Sequence, residues 1–159
     1  MWLKVLAGLA IIVCVPETAV IGLVAGLIGL ATGYLNHFNE AVMLLEMIPD
    51  MPECAEDFLG WQPLSYCEHF TASNFRARDL AIEAYDSADQ GIRAEFDSLT
   101  SAMTSILTAV GSAMREVEKD TTRVRLAEQA TLWVKPLIAA CGGIINGGAE
   151  ADVDTIMAN

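Results

Sequence analysis

The chain has 159 residues, about the length of one domain. Its net charge at pH 7 is −12, which argues against nucleic acid as a partner because phosphate binding requires clustered Lys and Arg. Its apolar composition of 53% is above the roughly 45–50% of a typical domain, and most of the surplus lies in the N-terminal fifth.

Two apolar blocks, residues 5–15 and 18–35, adjoin at the N-terminus and are separated by Pro16 and Glu17. As helices they would reach about 16 Å and 27 Å, against a hydrocarbon core of about 30 Å. Pro and Glu both suit the first turn of a helix. The sequence therefore predicts a break at this junction and a transmembrane helix over residues 16–36. A cleaved signal peptide is the alternative, but Glu17 would then occupy a cleavage-site position that requires a small residue.

Small residues form a stripe along this predicted helix, at spacings of 3, 4, 3 and 4. In lipid, small residues let helix backbones approach closely, and each glycine otherwise costs about 1 kcal/mol of helix stability relative to Ala. We therefore predict that the stripe packs against another copy, another subunit or another helix of this chain. The alternative is that glycine is simply frequent in membrane helices. The stripe consists of Ala19, Gly22, Gly26, Gly29 and Gly33.

The orientation follows from the distribution of charge. Lys4 precedes the predicted span, whereas residues 36–75 contain no Lys or Arg. The positive-inside bias places the N-terminus inside and the body outside, on the oxidising side of the membrane. The prediction is a single-pass membrane protein with a membrane-anchoring segment over residues 1–36, broken near 15–17.

An acidic, Pro-containing connector is predicted over residues 37–70. The apolar spacing of the first helix continues to about Ile48, and Pro and Gly then predict a loop over 49–63. In this loop, a solvated surface is one reading of the acidic residues, and a binding site for a basic partner is the other. The residues concerned are Glu53, Glu56 and Asp57.

The cysteines allow one bridge. Cys54 and Cys67 flank the loop, and in an oxidising compartment they are candidates for a disulfide, with free thiols as the alternative. Cys14 and Cys141 are predicted to be buried free thiols. No CxxC pair is present and the spacing fits no standard zinc site, so no metal or cofactor site is predicted.

A helical body is predicted over residues 71–159, entered at about Phe75. Apolar residues then follow heptad spacing, which is typical of a bundle seam. One long rod and a hairpin both fit this pattern; we favour a fold-back at 111–121, with the second helix ending near Pro136. The seam residues are Ile92, Phe96, Leu99, Met103, Ile106, Val110, Ala113 and Val117.

The sequence contains no recognisable catalytic motif, and neither His37 nor His69 has a patterned acid or nucleophile partner. The prediction is an all-α, non-enzymatic protein with an N-terminal transmembrane helix and a helical hairpin or small bundle. It is expected to be a structural or accessory subunit of a membrane complex, filament or coat, with other subunits, its own copies and lipid as partners. The alternatives are a membrane-permeabilising helical bundle and a membrane-tethered adaptor that binds a basic partner through its acidic loop.

Overall fold

A computed structural model describes the backbone of residues 17–157 and the side chains of residues 31–145. That part of the chain contains six helices and no strands, so the predicted all-α class is confirmed. The helices are α1 (Glu17–Met47), α2 (Cys54–Gly60), α3 (Tyr66–Ala72), α4 (Arg78–Ser87), α5 (Gln90–Glu116) and α6 (Asp120–Met157).

Three long helices form the bundle, in which α6 packs along α1 on one side and along α5 on the other. The short helices α2, α3 and α4 contact α1, and α2 also contacts α5. Core residues come from all six helices. The predicted boundary at residue 36 therefore falls inside α1, and the predicted connector and body contribute to one core.

The C-terminal half of α1 lies in that core because its apolar residues recur at spacings of three and four. The predicted extension of this helix to about Ile48 is confirmed, since α1 ends at Met47. The core includes Tyr34 and Leu35, which lie within the predicted span. The buried residues are Tyr34, Leu35, Phe38, Ala41, Val42, Leu45 and Ile48.

Among the fully described residues, no helix combines the length and apolar character needed to cross a bilayer. Most side chains of the predicted span, residues 16–36, lie outside the described residues, and so does Cys14.

Part of the predicted loop over residues 49–63 is helical, which corrects that prediction. The α2 residues Cys54, Ala55 and Phe58 share one buried face, and this apolar spacing outweighs the nearby prolines, which lie outside the helix. Helix α2 packs on α5 at Gly111, where an added Cβ would lie 3.8 Å from the Phe58 ring. Arg115 donates a hydrogen bond to the Leu59 carbonyl, at 2.9 Å, and so fixes the end of α2 on α5.

The predicted helix entry at Phe75 is also wrong: α4 begins at Arg78 without a side-chain cap, whereas the helices before and after it begin at capped residues. Ser65 begins α3 with a capping box to Glu68. The carboxylate of Asp89 accepts hydrogen bonds from the backbone N–H groups of Gly91 and Ile92 at the start of α5. The segment is therefore divided into α3, α4 and α5.

The seam on α5 is confirmed only at alternate positions, and Leu99 and Ile106 between them are half buried. Phe96, Met103 and Val110 are buried as predicted, whereas Ile92 is 37% exposed. The buried face is rotated because α5 packs against α2 as well as α6. It even accepts a threonine, whose hydroxyl donates to the Asp97 carbonyl within the helix. The additional buried residues are Thr100, Leu107, Gly111 and Met114.

The predicted fold-back is confirmed, since α5 ends at Glu116 and α6 returns along it from Asp120. The predicted end near Pro136 is wrong, because α6 continues through this proline. Pro136 and Leu132 are both exposed, so water can bond the backbone groups that a proline leaves unpaired. Next to it, Lys135 Nζ lies 2.7 Å from the Glu46 carboxylate and joins α6 to α1.

We expect Phe38→Ala to lower the free energy of unfolding by about 3–5 kcal/mol, because this fully buried ring would leave a cavity at the centre of the core. Chemical denaturation followed by circular dichroism measures the loss. Met43→Ala is the matched control on the same helix, since Met43 is half exposed and should change stability by no more than about 0.5 kcal/mol. Equal losses in the two variants would contradict the packing described for α1.

Candidate functional site

Polar and aromatic side chains are concentrated between α1 and α3. Each helix contributes Tyr, His and Phe at positions i, i+3 and i+4, which share one helix face. The sequences are YLNHF, from residue 34, and YCEHF, from residue 66. We call the group the histidine–aromatic cluster: Tyr34, His37, Phe38, Trp61, Tyr66, His69 and Phe70.

Matching members of the two turns meet in the cluster. The ring centroids of Tyr34 and Tyr66 are 5.3 Å apart, and those of His37 and His69 are 5.6 Å apart. Trp61 stacks on His37 at 4.8 Å with the ring planes 27° apart. Edge-to-face and offset stacked rings of this kind stabilise a contact beyond their burial, by roughly 0.5–1.5 kcal/mol per pair.

Hydrogen bonds tie the chain between α2 and α3 to α1. The Tyr34 hydroxyl donates to the Leu64 carbonyl at 2.8 Å, and Trp61 Nε1–H donates to the His37 carbonyl at 3.1 Å. His37 Nε2 lies 2.9 Å from the Gln62 carbonyl oxygen, which accepts a hydrogen bond from it in the tautomer that is protonated at Nε2. The polar groups of the cluster thus hold the fold together.

A second aromatic contact extends the cluster to α4 and α5. Tyr85 stacks on Tyr66 at 4.7 Å, and its hydroxyl donates to the Asp97 carboxylate at 2.5 Å. Arg93 lies over the Tyr85 ring at 5.7 Å. Burial raises the pKa of Tyr66 to about 12, and burial followed by the Asp97 hydrogen bond raises the pKa of Tyr85. Both hydroxyls therefore stay protonated at neutral pH.

The predicted disulfide between Cys54 and Cys67 is absent, and both thiols are free. The two cysteines lie in different surroundings. Burial, and to a lesser extent the charge of Asp57, raises the pKa of Cys54. Burial also raises the pKa of Cys67, where the next cause is the charge of Asp86, beyond the end of α3. Cys141 is a buried free thiol, as predicted, and burial raises its pKa to about 11. A raised thiol pKa lowers reactivity at neutral pH.

The predicted acidic surface lies at the start of α2, where all three carboxylate residues are exposed. Glu56 and Asp57 occupy the first turn, where the helix dipole favours negative charge. Glu56 also lies 3.5 Å from Arg123 on α6. The Glu56 side chain is still 73% exposed, so all three carboxylates remain accessible to a basic partner.

The glycine stripe is described only at its C-terminal end. A Cβ at Gly33 would lie 3.8 Å from the Phe70 ring of α3, an ordinary van der Waals contact. The side-chain surroundings of Ala19, Gly22, Gly26 and Gly29 lie outside the described residues.

The described residues contain no group of three or more His, Cys, Asp or Glu side chains able to hold a metal ion. Sequence reasoning missed the contact between His37 and His69, although the repeated Tyr-x-x-His-Phe pattern was visible. It also missed the Ser65-x-x-Glu68 capping box, which has a recognised sequence signature.

Comparison with protein-family models, with curated proteins and with solved structures gave no match.

Lowering the pH from about 7.5 to 5.5 should reduce the free energy of unfolding through His69. Burial, followed by the nearby His37, lowers the pKa of His69 below its ordinary 6.5. The unfolded chain therefore takes up this proton first as the pH falls. The stability that depends on neutral His69 is therefore fully present above pH 6.5 and is lost as the pH falls through the folded-state pKa of His69. Urea denaturation at several pH values measures this, and His69→Gln should flatten the profile in this window.

Ser65→Ala is the control for that profile. The backbone N–H of Ser65, followed by its side chain, hydrogen-bonds the Glu68 carboxylate and lowers the pKa of Glu68 below 4.5. Ala keeps the backbone bond and loses only the side-chain one, so this substitution should change the pH dependence only below about pH 4.5. A His69→Gln variant that keeps the full slope between pH 7.5 and 5.5 would show that other groups cause it.

Proposed function

We propose that this chain is a non-enzymatic structural or accessory subunit of a larger membrane-associated assembly. The observation that carries the proposal is the continuity of α1, which runs as one helix from Glu17 to Met47. The same helix contains the backbone of the whole glycine stripe and the centre of the folded core. Its partners would be other subunits, further copies of itself and lipid.

The core fixes the rotation of α1 about its own axis. Phe38, Ala41 and Leu45 are fully buried, so turning the helix would expose them. Gly33 faces α3, and helical periodicity places the rest of the stripe in line with it. The seven residues of α3 reach about 10 Å, whereas the stripe from Ala19 to Gly33 extends over about 21 Å. Helix α3 therefore cannot cover the whole stripe, so the rest of it would pack on another helix, either α6, which also packs along α1, or a helix of another chain.

The bundle also limits which residues can be embedded in lipid. Tyr34 and Leu35 belong to the core, so we place the embedded region N-terminal to Ala31 rather than over residues 16–36. The helical residues 17–30 would reach about 21 Å, short of a hydrocarbon core of about 30 Å, so the apolar block over residues 5–15 would have to complete the embedded region beyond the predicted break. The one charge in this region, Glu17, is the first residue of α1; a carboxylate at membrane depth is costly, and the helix dipole at this position offsets part of that cost. The N-terminus would lie inside and the bundle outside.

A structural role is supported by what the reactive side chains do. The Tyr34 hydroxyl and His37 Nε2 each bond a backbone carbonyl, and Tyr85 bonds Asp97. The ring of His69 packs against Tyr34 and Phe70. These groups hold α3 and α4 on α1, and this accounts for them without a substrate.

Replacing Gly26 and Gly29 together by Leu should abolish assembly while membrane association persists. Leu side chains would increase the distance between the helix and its neighbour by about 2 Å or more. This would remove the close backbone contact on which the packing depends. Gentle detergent extraction, native mass measurement and identification of co-purifying chains provide the readout. The matched control is Val24→Leu with Ile28→Leu, which adds the same residue about half a turn away in helix register.

Unchanged mass and co-purification in the Gly26/Gly29 variant would refute the packing proposal. A soluble monomer that converts to a membrane-bound form would support the permeabilising alternative. Loss of a basic partner on charge reversal at Glu53 and Asp57, with assembly intact, would support the adaptor instead. The adaptor has less structural support, because Glu56 already pairs with Arg123.

A further inference from the structure

A shallow apolar groove of about 370 Å³ lies between α5 and α6. Ile106, Val110 and Leu126 form its base, and Trp133 stands at its edge. Trp133 is 53% exposed and the adjacent Leu132 is 68% exposed. Large apolar side chains exposed together beside an apolar groove are typical of a protein interaction surface. Helix α2 packs on a different side of α5, at Gly111, so it does not cover this groove.

A row of small side chains runs along α5; three of them, Ser105, Ala109 and Ala113, line the groove, and the row continues beyond it toward the start of the helix. Ser98, Ala102, Ser105 and Ala109 are exposed, and Ala113 is half buried; all five lie at spacings of three or four. The Ser105 hydroxyl already donates to the Ser101 carbonyl of its own helix, so covering it leaves no donor unpaired. The row offers a smooth surface onto which a large ring can pack closely.

Charge favours a second copy as the occupant. The chain carries a net charge of −12, so most ways of bringing two copies together place carboxylates against carboxylates. The stretch of α5 from Ser98 to Met114 contains no charged residue, and neither does α6 from Gln129 to Val134. A partner selected by charge would find no charge to pair with here, whereas two copies can meet through this face without repulsion.

The area of the face is sufficient for a modest dimer. The 17 uncharged residues of α5 span about 25 Å, and two adjacent helices are about 20 Å across. Each copy would therefore cover at most about 500 Å², or about 1,000 Å² in total, which is near the lower limit for a specific interface. On α6 this area extends beyond Gln129–Val134 to Glu128 and Lys135, which carry opposite charges.

We propose that two copies of this chain pack face to face through the α5–α6 groove, each placing Trp133 over the small-residue row of the other. Such a contact is two-fold symmetric, because the same surface carries both the protruding ring and the row that receives it. This interface is separate from the glycine stripe of α1, so the chain would have two independent assembly surfaces.

The test is the native mass of the full chain in mild detergent over a wide concentration range. Ala109→Glu places a carboxylate from each copy at the centre of the face and should raise the dissociation constant at least about tenfold, since apposed like charges are strongly unfavourable in an interface. Trp133→Ala should weaken the contact to a similar extent, because buried Trp residues dominate interface energies. Both positions are solvent-facing in the single chain, so unchanged melting shows that the fold is intact.

Ala88→Glu is the matched control, because Ala88 is exposed in the break between α4 and α5 and should leave the mass unchanged. Combining Ala109→Glu with the Gly26/Gly29 variant separates the two assembly surfaces, each substitution removing only its own contact. A wild-type chain that stays monomeric, or an Ala109→Glu chain that keeps the wild-type mass, would overturn the proposal, whatever the glycine variants show.

Discussion

Tyr34 and His37 on α1 meet Tyr66 and His69 on α3 in matching order, and the backbone between α2 and α3 is bonded to α1 across this contact. Helices as short as α2 and α3 are marginally stable on their own, because the free-energy cost of nucleating a helix exceeds the stabilisation that one or two turns provide. They persist because the cluster and the core hold them. Helix α4 depends on the same contact, through the stacking of Tyr85 on Tyr66.

The long helices show what local pattern predicts well. The apolar spacing of α1 continues to Ile48, and the polar run after Glu116 marks the turn into α6, so both features could be read from the sequence. The rotation of the seam on α5 could not be read in the same way. It depends on α2 packing at Gly111 and on Thr100 satisfying its hydroxyl within its own helix, and both are consequences of tertiary contacts.

The cluster and the cysteines show the opposite case. The two Tyr-x-x-His-Phe turns were present in the sequence, but only the fold shows that they face each other. Cys54 and Cys67 bracket a short loop, which makes them look paired. The burial of Cys54, Ala55 and Phe58 on one side of α2 gives Cys54 a place in the core instead. Spacing along the chain indicated proximity, and packing decided the direction in which each side chain points.

Because α1 is one continuous helix, the number of residues between its two ends determines the directions in which their side chains point. Each residue of an α-helix turns the chain by about 100° and advances it by about 1.5 Å, so the number of residues between Gly29 and Phe38 sets the angle between the glycine line and the bundle. One residue gained or lost there would swing the glycine line by more than a quarter turn. A change of seven would return it to nearly its original heading, displaced by about 10 Å along the axis. If the glycine line binds a neighbour as proposed, α1 would tolerate insertions best in steps of about two turns.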